Sequence, residues 1–202
     1  QHANIQVVNV TPPANYFHVL RRQMHRDFRK PLIVVAPKAL LRLKKCASDF
    51  EDFEEGTKFR RFIADDSPVS PSKAMVEPDK VRKLLLCSGK VYYDLLEKRD
   101  SDELIDTALI RVEQLYPFPE QRLQEVLEGY PNLENLVWCQ EEPMNQGAWY
   151  CSQHHMYRVA REVGDLRVHY AGRDMAAAPA AGSMALHVEQ QQRLVQDAFE
   201  IK

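Results

Sequence analysis

The stretch VRKLLLCSGKVYYDLLEK, residues 81–98, decides the fold of this chain. It predicts a strand from Val81 to Cys87, where the run LLLC is apolar without interruption. Ser88 and Gly89 end that run, and a helix is predicted from Lys90 to Lys98. A strand followed directly by a helix is the unit from which parallel sheets with crossover helices are built.

The same alternation continues toward the end of the chain. The sequence predicts strands at 108–112, 136–139 and 167–171, and helices at 120–128, 146–161 and 183–199. The first of these helices carries a single apolar stripe at i, i+3, i+4, i+7, formed by Leu123, Val126, Leu127 and Tyr130. We therefore predict an α/β fold with a doubly wound, mostly parallel sheet.

A further strand, helix, strand unit is predicted upstream. IQVVNV, residues 5–10, is an apolar run, and Thr11 before two prolines is typical of a helix N-cap. The helix can extend to about Phe28, and LIVVA, residues 32–36, follows as a second strand. Both strands are continuous apolar runs, so we expect buried parallel neighbours covered by the helix. The face expected to carry the helix's apolar side chains contains Tyr16, Val19, Leu20 and Met24.

The region between these two parts has a different composition. From Leu43 to Asp79 it is rich in charges, prolines and serines, and only TKFRRFI, residues 57–63, fits a strand. We interpret this region as an interdomain linker. The sequence therefore predicts the end of one α/β domain followed by a second α/β domain.

Composition limits the class of protein. The 202 residues are 45% hydrophobic and 28% charged, and 27 basic against 29 acidic residues give a net charge of −2, which argues against nucleic-acid binding. No apolar run is long enough to cross a membrane, and no secretory signal is recognisable. Four widely spaced cysteines favour a reducing compartment. The chain begins with Gln1, which suggests a piece of a longer protein.

The stretch VWCQEEPMNQGAWYCSQHH, residues 137–155, raises the question of a metal site or a cysteine nucleophile. Cys139 and Cys151 are twelve residues apart, unlike the paired spacing of structural zinc ligands. Cys139 also lies in an apolar strand, where a thiol usually packs without reacting. Packing is therefore the favoured interpretation. Glu141 and Glu142 follow the predicted strand end, where α/β sheets place ligands, or they are ordinary solvated carboxylates.

Two other stretches could bind an anion. CSGKV, residues 87–91, lacks the earlier glycine and the following Ser or Thr of a nucleotide phosphate loop, but Ser88 and Gly89 open a helix whose free N–H groups attract anions. Ser88 could instead be only an N-cap. LRRQMHRDFRK, residues 20–30, fits either a solvated helix face or a patch for an acidic partner or a nucleotide phosphate.

Longer strings resemble one family. NYFHVLRRQ, RKPLIVVAPKALLR, LLLCSGKVYYDLLEKR, IRVEQLYPFP, WCQEEPMNQGAWY, YAGRDMAAAPAAG and HVEQQQRLVQDAF closely resemble, in this order, the carboxy-terminal portion of 2-oxoglutarate dehydrogenases. The resemblance runs essentially end to end and is weakest in the linker. It implies a transketolase-like homodimer, with residues 1–45 ending a pyrimidine-binding domain, 46–78 as linker and 79–202 as the carboxy-terminal domain.

The resemblance also implies an activity for the complete enzyme. Members of the family use thiamine diphosphate and Mg²⁺ to decarboxylate 2-oxoglutarate, and they pass the succinyl group to a lipoyl group on a partner succinyltransferase. The family's Gly-Asp-Gly motif and its His-Ser-Ser-Ala-Arg motif are both absent from this sequence. We therefore expect no catalytic or metal-binding residue in this chain, with the cofactor's main binding residues outside it, and we expect the isolated chain to be inactive.

The family further implies a nucleotide effector, such as AMP or acetyl-coenzyme A, near the seam between the last two domains. The matching candidates are Lys38, Arg42, Arg60, Ser88 and Gln140, since cationic groups neutralise phosphates while Ser and Gln can bond ribose or base. A stand-alone binding or scaffolding protein with the same fold is the alternative. The sequence leaves open 2-oxoglutarate or 2-oxoadipate as substrate, and a mitochondrial matrix or bacterial cytoplasm as compartment.

Overall fold

A computed structural model describes residues 4–65, 77–164 and 166–201. The strands are β1 Gln6–Asn9, β2 Leu32–Val35, β3 Phe62–Ile63, β4 Lys83–Cys87, β5 Thr107–Val112, β6 Gln114–Tyr116, β7 Asn135–Pro143 and β8 Arg167–Arg173. The α-helices are α1 Pro13–His25, α2 Val91–Ser101, α3 Glu120–Glu128, α4 Trp149–Val163 and α5 Met184–Glu200. Short 3-10 helices cover Lys38–Arg42, Phe50–Phe53 and Pro78–Lys80.

The larger sheet has five strands in the order β3-β5-β4-β7-β8. The last four of these run parallel, while the short β3 pairs antiparallel with β5. β4 is the central strand, and its last residue, Cys87, lies opposite both Arg111 and Cys139. The α/β class predicted from the sequence is confirmed, and every long strand and helix of this part lies within a few residues of its predicted position.

Helices cover both faces of this sheet. Leu84 and Leu86 of β4 belong to one core cluster, together with side chains of α3 and α4. Leu85 and Cys87 belong to a second cluster, together with side chains of α2 and α5. Because successive side chains of a strand point to opposite faces, the run LLLC supplies both cores at once.

The smaller sheet has three strands in the order β2-β1-β6. β1 and β2 are parallel, as predicted, and β6 pairs antiparallel with β1, which the sequence analysis missed. Glu113 is the single residue between β5 of the larger sheet and β6 of the smaller one. The chain therefore passes directly from one sheet into the other at this residue.

The expectation that β2 is buried on both faces is wrong. Leu32 and Val34 pack against the small core beneath α1, but Ile33 and Val35 remain 49% and 45% exposed. β2 is an edge strand of its sheet, and no described element covers its second face.

The predicted apolar face of α1 is also mostly open. Val19 is buried, whereas Tyr16, Leu20 and Met24 are exposed. The helix ends at His25 rather than near Phe28.

Two local predictions also need correction. Thr11 is not the N-cap of α1, because Pro12 occupies that position and the Thr11 hydroxyl bonds to Glu113 instead. β7 does not end at Cys139, and Glu141 and Glu142 therefore lie within the strand rather than after it. The longer strand follows from its continued pairing with β8, where Pro143 lies opposite Arg173.

The described part of the predicted linker contains short elements of secondary structure. It contains the 3-10 helix Phe50–Phe53 and the strand β3, which covers only the last two residues of the predicted 57–63 segment. Residues 66–76, most of its proline- and serine-rich part, lie outside the described residues. Within the described ranges, no helix is both long and apolar enough to span a bilayer.

Candidate functional site

The two sheets meet at the carboxyl ends of their strands. We call this region the junction and define it by Asn9, Thr11, Ser88–Lys90, Arg111–Glu113 and Gln140–Glu141. Gly89 lies close to Asn9, since a Cβ built on Gly89 would be 2.7 Å from the Asn9 side-chain nitrogen. Gly89 also has a φ of +78°. Glycine is therefore required here both for its backbone conformation and for the space it leaves.

The Glu113 carboxylate organises the junction from a fully buried position. It accepts hydrogen bonds from the Thr11 hydroxyl at 2.5 Å, from the Thr11 backbone N–H at 2.9 Å and from the Asn15 side-chain amide at 2.9 Å. Burial raises the pKa of Glu113, against the lowering effect of Arg111 and of these donors. The donors come from the start of α1, so Glu113 fastens α1 to the larger sheet.

Arg111, also fully buried, is the cation of the same network. Its Nη1 donates to the Thr11 hydroxyl at 3.0 Å, and its guanidinium lies 4.3 Å from the centre of the Tyr92 ring of α2. The network therefore joins β5, α1 and α2. The buried Arg111 and Glu113 side chains share the Thr11 hydroxyl, and each charged group would be costly to leave without a partner.

Ser88 follows β4 at the same edge. Its hydroxyl oxygen is buried and has no hydrogen-bond partner among the described residues. The interpretation of Ser88 as the N-cap of α2 is wrong, because Lys90 holds that position and no side chain caps the helix. A buried hydroxyl without a partner among the described residues is a suitable contact for an anionic ligand.

Lys90 and Glu141 lie beside this hydroxyl. The Lys90 ammonium is 2.6 Å from the Glu141 carboxylate and 3.5 Å from Asp94. Gln191 of α5 donates to Asp94 at 2.7 Å. The acidic residue that sequence reasoning placed in a ligand crevice therefore forms an ion pair across the ends of β4 and β7.

Gln140 is 1% exposed, and its amide is occupied by the protein. Its oxygen accepts from the Trp138 indole at 2.9 Å and from the N–H groups of Ala148 and Trp149 at 3.2 and 3.0 Å. Its nitrogen donates to the carbonyls of Glu142, Pro143 and Gln146. These bonds hold the loop between β7 and α4 and the start of α4.

A glycine supports the same loop. Gly147 has a φ of +64°, and a Cβ there would lie 2.8 Å from the Gln140 side-chain nitrogen. The loop therefore closes tightly over the Gln140 amide.

The remaining predicted residues surround the junction without converging on one point. Lys38 and Arg42 are exposed on their 3-10 helix, and Leu40 between them packs into the core cluster that contains Val91 of α2. Arg60 is fixed through its backbone, since its N–H and carbonyl both bond the Asn15 side chain. The structure thus brings the Lys38–Arg42 helix to α2 and places Arg60 beside α1.

The two cysteines of residues 137–155 lie in different environments, while the ring centres of His154 and His155 are 3.9 Å apart. Cys139 is buried in β7, which raises its pKa, whereas Cys151 is exposed on α4. His155 contacts the Glu120 carboxylate and stacks on Phe118, with ring centres 5.0 Å apart. In the described ranges, no three His, Cys, Asp or Glu side chains converge as metal ligands would.

Sequence reasoning missed the polar centre of the junction. Asn9, Thr11, Asn15, Arg111 and Glu113 were not candidates for any site. A signal was present in TALIRVEQLY, residues 107–116, where two opposite charges interrupt an otherwise apolar strand. Such charges are almost never fully buried unless they are paired, so the pattern indicates a buried partner from elsewhere in the chain.

Comparison with known proteins identifies the family. The family model for 2-oxoglutarate dehydrogenase C-terminal matches residues 47–199, which includes the larger sheet and its helices. This α/β chain therefore belongs to the 2-oxoglutarate dehydrogenase C-terminal family, as the resemblance indicated.

Three similar relatives carry the same name. The chain is 53% identical over 199 residues to the 2-oxoglutarate dehydrogenase E1 component of Azotobacter vinelandii, 46% over 200 residues to that of Coxiella burnetii, and 45% over 196 residues to that of Haemophilus influenzae. These alignments cover 97% to 98% of this chain. The chain spans about a fifth of the length of these relatives and corresponds to their C-terminal portion.

Proposed function

We propose that this chain is the carboxy-terminal part of an enzyme that decarboxylates 2-oxoglutarate with thiamine diphosphate and passes the succinyl group to a lipoyl-bearing succinyltransferase. The observation that supports this proposal is 53% identity over 98% of the chain to a relative named 2-oxoglutarate dehydrogenase E1 component. The experiment is an assay of 2-oxoglutarate turnover by the full-length polypeptide, with 2-oxoadipate as the competing substrate. Turnover of neither oxo acid would overturn the proposal.

The catalytic cofactor is assigned to residues outside this chain. The sequence has no Gly-Asp-Gly motif, and the described residues offer no acidic cluster suited to a magnesium ion bound to a diphosphate. The residues present do not fit the cofactor. We therefore expect the purified 202-residue chain neither to bind thiamine diphosphate with Mg²⁺ nor to consume 2-oxoglutarate, and calorimetric titration with both would show binding if this assignment is wrong.

An effector role is proposed for the junction and the residues around it, with a nucleotide or acetyl-coenzyme A as the ligand. The assigned residues are Ser88 and Gln140 of the junction and Lys38, Arg42 and Arg60 beside it. The buried Ser88 hydroxyl without a partner and the exposed Lys38 and Arg42 beside α2 support this role. Because the Gln140 amide is already occupied, we assign Gln140 to shaping the loop beside the ligand rather than to direct contact.

A titration tests whether Arg42 contacts the effector. Acetyl-coenzyme A and AMP are titrated into the full-length polypeptide, its Arg42→Ala variant and an Arg193→Ala control on the exposed side of α5. Loss of one charge-assisted hydrogen bond should weaken binding about tenfold or more in Arg42→Ala. Equal affinity in all three proteins would remove Arg42 from the site.

An assembly role rests on exposed apolar side chains. Among the described residues, nine of the eighteen exposed large apolar side chains lie between Ile5 and Leu41. Met24 is 71% exposed on α1, and Ile33 and Val35 are exposed on the uncovered face of β2. A concentration of this kind marks a surface that is covered in the assembled protein, and we propose that it contributes to a homodimer.

Sedimentation of the full-length polypeptide tests the assembly role. Leu20→Glu should shift the dimer toward monomer, because it places a charge in the proposed contact. Ile105→Glu, at an exposed apolar residue between α2 and β5, is the matched control. An unchanged dimer in both variants would exclude this surface from the contact.

A further inference from the structure

A cavity of about 220 Å³ lies beside the chain between α1 and β2. It is lined by Gln6, Arg26, Phe28, Lys30, Arg61, Gln114, Pro117, Phe118 and Pro119. Three of these residues are cationic, and no Asp or Glu is among the described residues that line it. Its walls are therefore positively charged and partly aromatic.

Among the described residues, no acidic side chain pairs with the guanidinium groups at this cavity. No carboxylate of the described residues lies within 4.0 Å of the guanidinium of Arg22, Arg26 or Arg61. Burial, followed by the charges of Arg26 and Arg61, lowers the pKa of Arg22 to about 10. Burial and the charge of Arg61 also lower the pKa of Arg26. The positive charges of Arg22, Arg26 and Arg61 are therefore held near one another despite their mutual repulsion.

Neighbouring side chains hold Arg22 behind the cavity. It donates to the side-chain oxygens of Gln114 at 2.8 Å and Gln6 at 2.9 Å, and its guanidinium lies 4.1 Å from the centre of the Phe59 ring. Gln114 in turn donates to the carbonyl of Pro117 at 2.8 Å. These hydrogen bonds fix the Gln6 and Gln114 side of the lining, so that part of the cavity is already formed before a ligand binds.

We propose that this cavity binds a small oxyanion with at least two negative charges, held mainly by Arg26 and Arg61. Guanidinium groups bind phosphate and carboxylate oxygens in the same bidentate way, so both chemistries satisfy the site. The volume is below the roughly 300 Å³ at which pockets for drug-sized ligands begin, so a complete nucleotide does not fit. None of its lining residues is among those assigned to the proposed effector site.

The test uses the full-length polypeptide saturated with thiamine diphosphate and Mg²⁺, so that a diphosphate site elsewhere is already filled. Inorganic pyrophosphate and citrate are titrated separately at low ionic strength by calorimetry. The variants are Arg26→Gln and the more exposed Arg61→Gln, and Arg193→Gln of α5 is the charge-matched control. A melting curve of each variant confirms that it is folded.

We expect at least one of the two anions to bind about tenfold more weakly to Arg26→Gln and to Arg61→Gln, with binding by Arg193→Gln unchanged. An effect on pyrophosphate alone assigns a phosphate ligand, and an effect on citrate alone assigns a carboxylate ligand. Equal affinity in all four proteins, or equal weakening in the Arg193→Gln control, overturns the proposal. Arg61→Gln alone decides the question if Arg26→Gln does not fold.

Discussion

Replacing Thr11 by Val tests the polar network that joins the two sheets. Valine has nearly the shape of threonine, so the substitution removes the hydroxyl without opening a cavity. That hydroxyl donates to the buried Glu113 carboxylate at 2.5 Å and accepts from Arg111 Nη1 at 3.0 Å. Both charged groups therefore lose a partner in a site without exposure to solvent.

The cost follows from these two bonds. A hydrogen bond to a charged group contributes about 1.5–3 kcal/mol to the free energy of unfolding. Because Glu113 keeps its bonds to the Thr11 backbone and to Asn15, we expect Thr11→Val to lower that free energy by about 2–4 kcal/mol. Unfolding entropy near 2.1 cal/mol/K per residue gives roughly 0.4 kcal/mol/K for a chain of this size. The melting temperature should therefore fall by about 5–10 °C.

The assay is thermal unfolding of the 202-residue chain, combined with hydrogen exchange at the Thr11 amide. That amide donates to Glu113 and should exchange faster in the variant. Thr11→Ser keeps the hydroxyl and loses only a methyl group, so it should cost about 1 kcal/mol. If Thr11→Val melts within about 1 °C of the unchanged chain, the hydroxyl does not hold the network and the reasoning is refuted.

Three further results are expected. Gly147→Ala should destabilise the chain by more than Gly56→Ala in a denaturant titration. Both residues have positive φ, but only a Cβ at position 147 would lie 2.8 Å from the Gln140 amide. Equal losses in the free energy of unfolding would contradict this. Glu113 has a raised pKa, so its contribution to stability is present below the usual pKa of a glutamate and is lost as pH rises through the raised value. Glu113→Gln should therefore flatten the fall in melting temperature over that pH window. Parallel curves of melting temperature against pH for the variant and the unchanged chain would contradict this. Asp65→Ala should cost about 3 kcal/mol in the same titration, because it removes the closest carboxylate of the fully buried Arg99 and leaves it Asp100 at 3.6 Å. Asp102→Ala, in the exposed pair with Lys98, should leave the midpoint unchanged. An equally small effect of Asp65→Ala would show that the other partners of Arg99 are sufficient.

The order of strands and helices could be predicted because it depends on short stretches of sequence. The run LLLC and the stripe of Leu123, Val126 and Leu127 each show their own period, and both elements are present where they were expected. The pairing of β6 with β1 could not be predicted in the same way. It joins Val7 to Tyr116, and no local pattern specifies a partner so far along the chain.

Burial was harder to predict than secondary structure. Ile33 and Val35 have the composition of a buried strand, yet their exposure depends on which elements lie next to β2. The candidate residues show the same limit. Ser88 and Gln140 each follow one of the two paired residues Cys87 and Cys139 of neighbouring strands. Only the structure shows that the Ser88 hydroxyl has no partner among the described residues and that the Gln140 amide is occupied.

The position of Glu113 connects the fold to the proposed effector role. One residue separates a strand of the larger sheet from a strand of the smaller sheet, and its side chain holds the start of α1. Gly89 contacts Asn9 at the same edge, so the helix start after β4 touches the end of β1. A ligand that bonds Ser88 on one side and Lys38 on the other would therefore contact both sheets where they are joined. Its binding free energy would act on the placement of one sheet relative to the other, which is the physical requirement for an effector at this position.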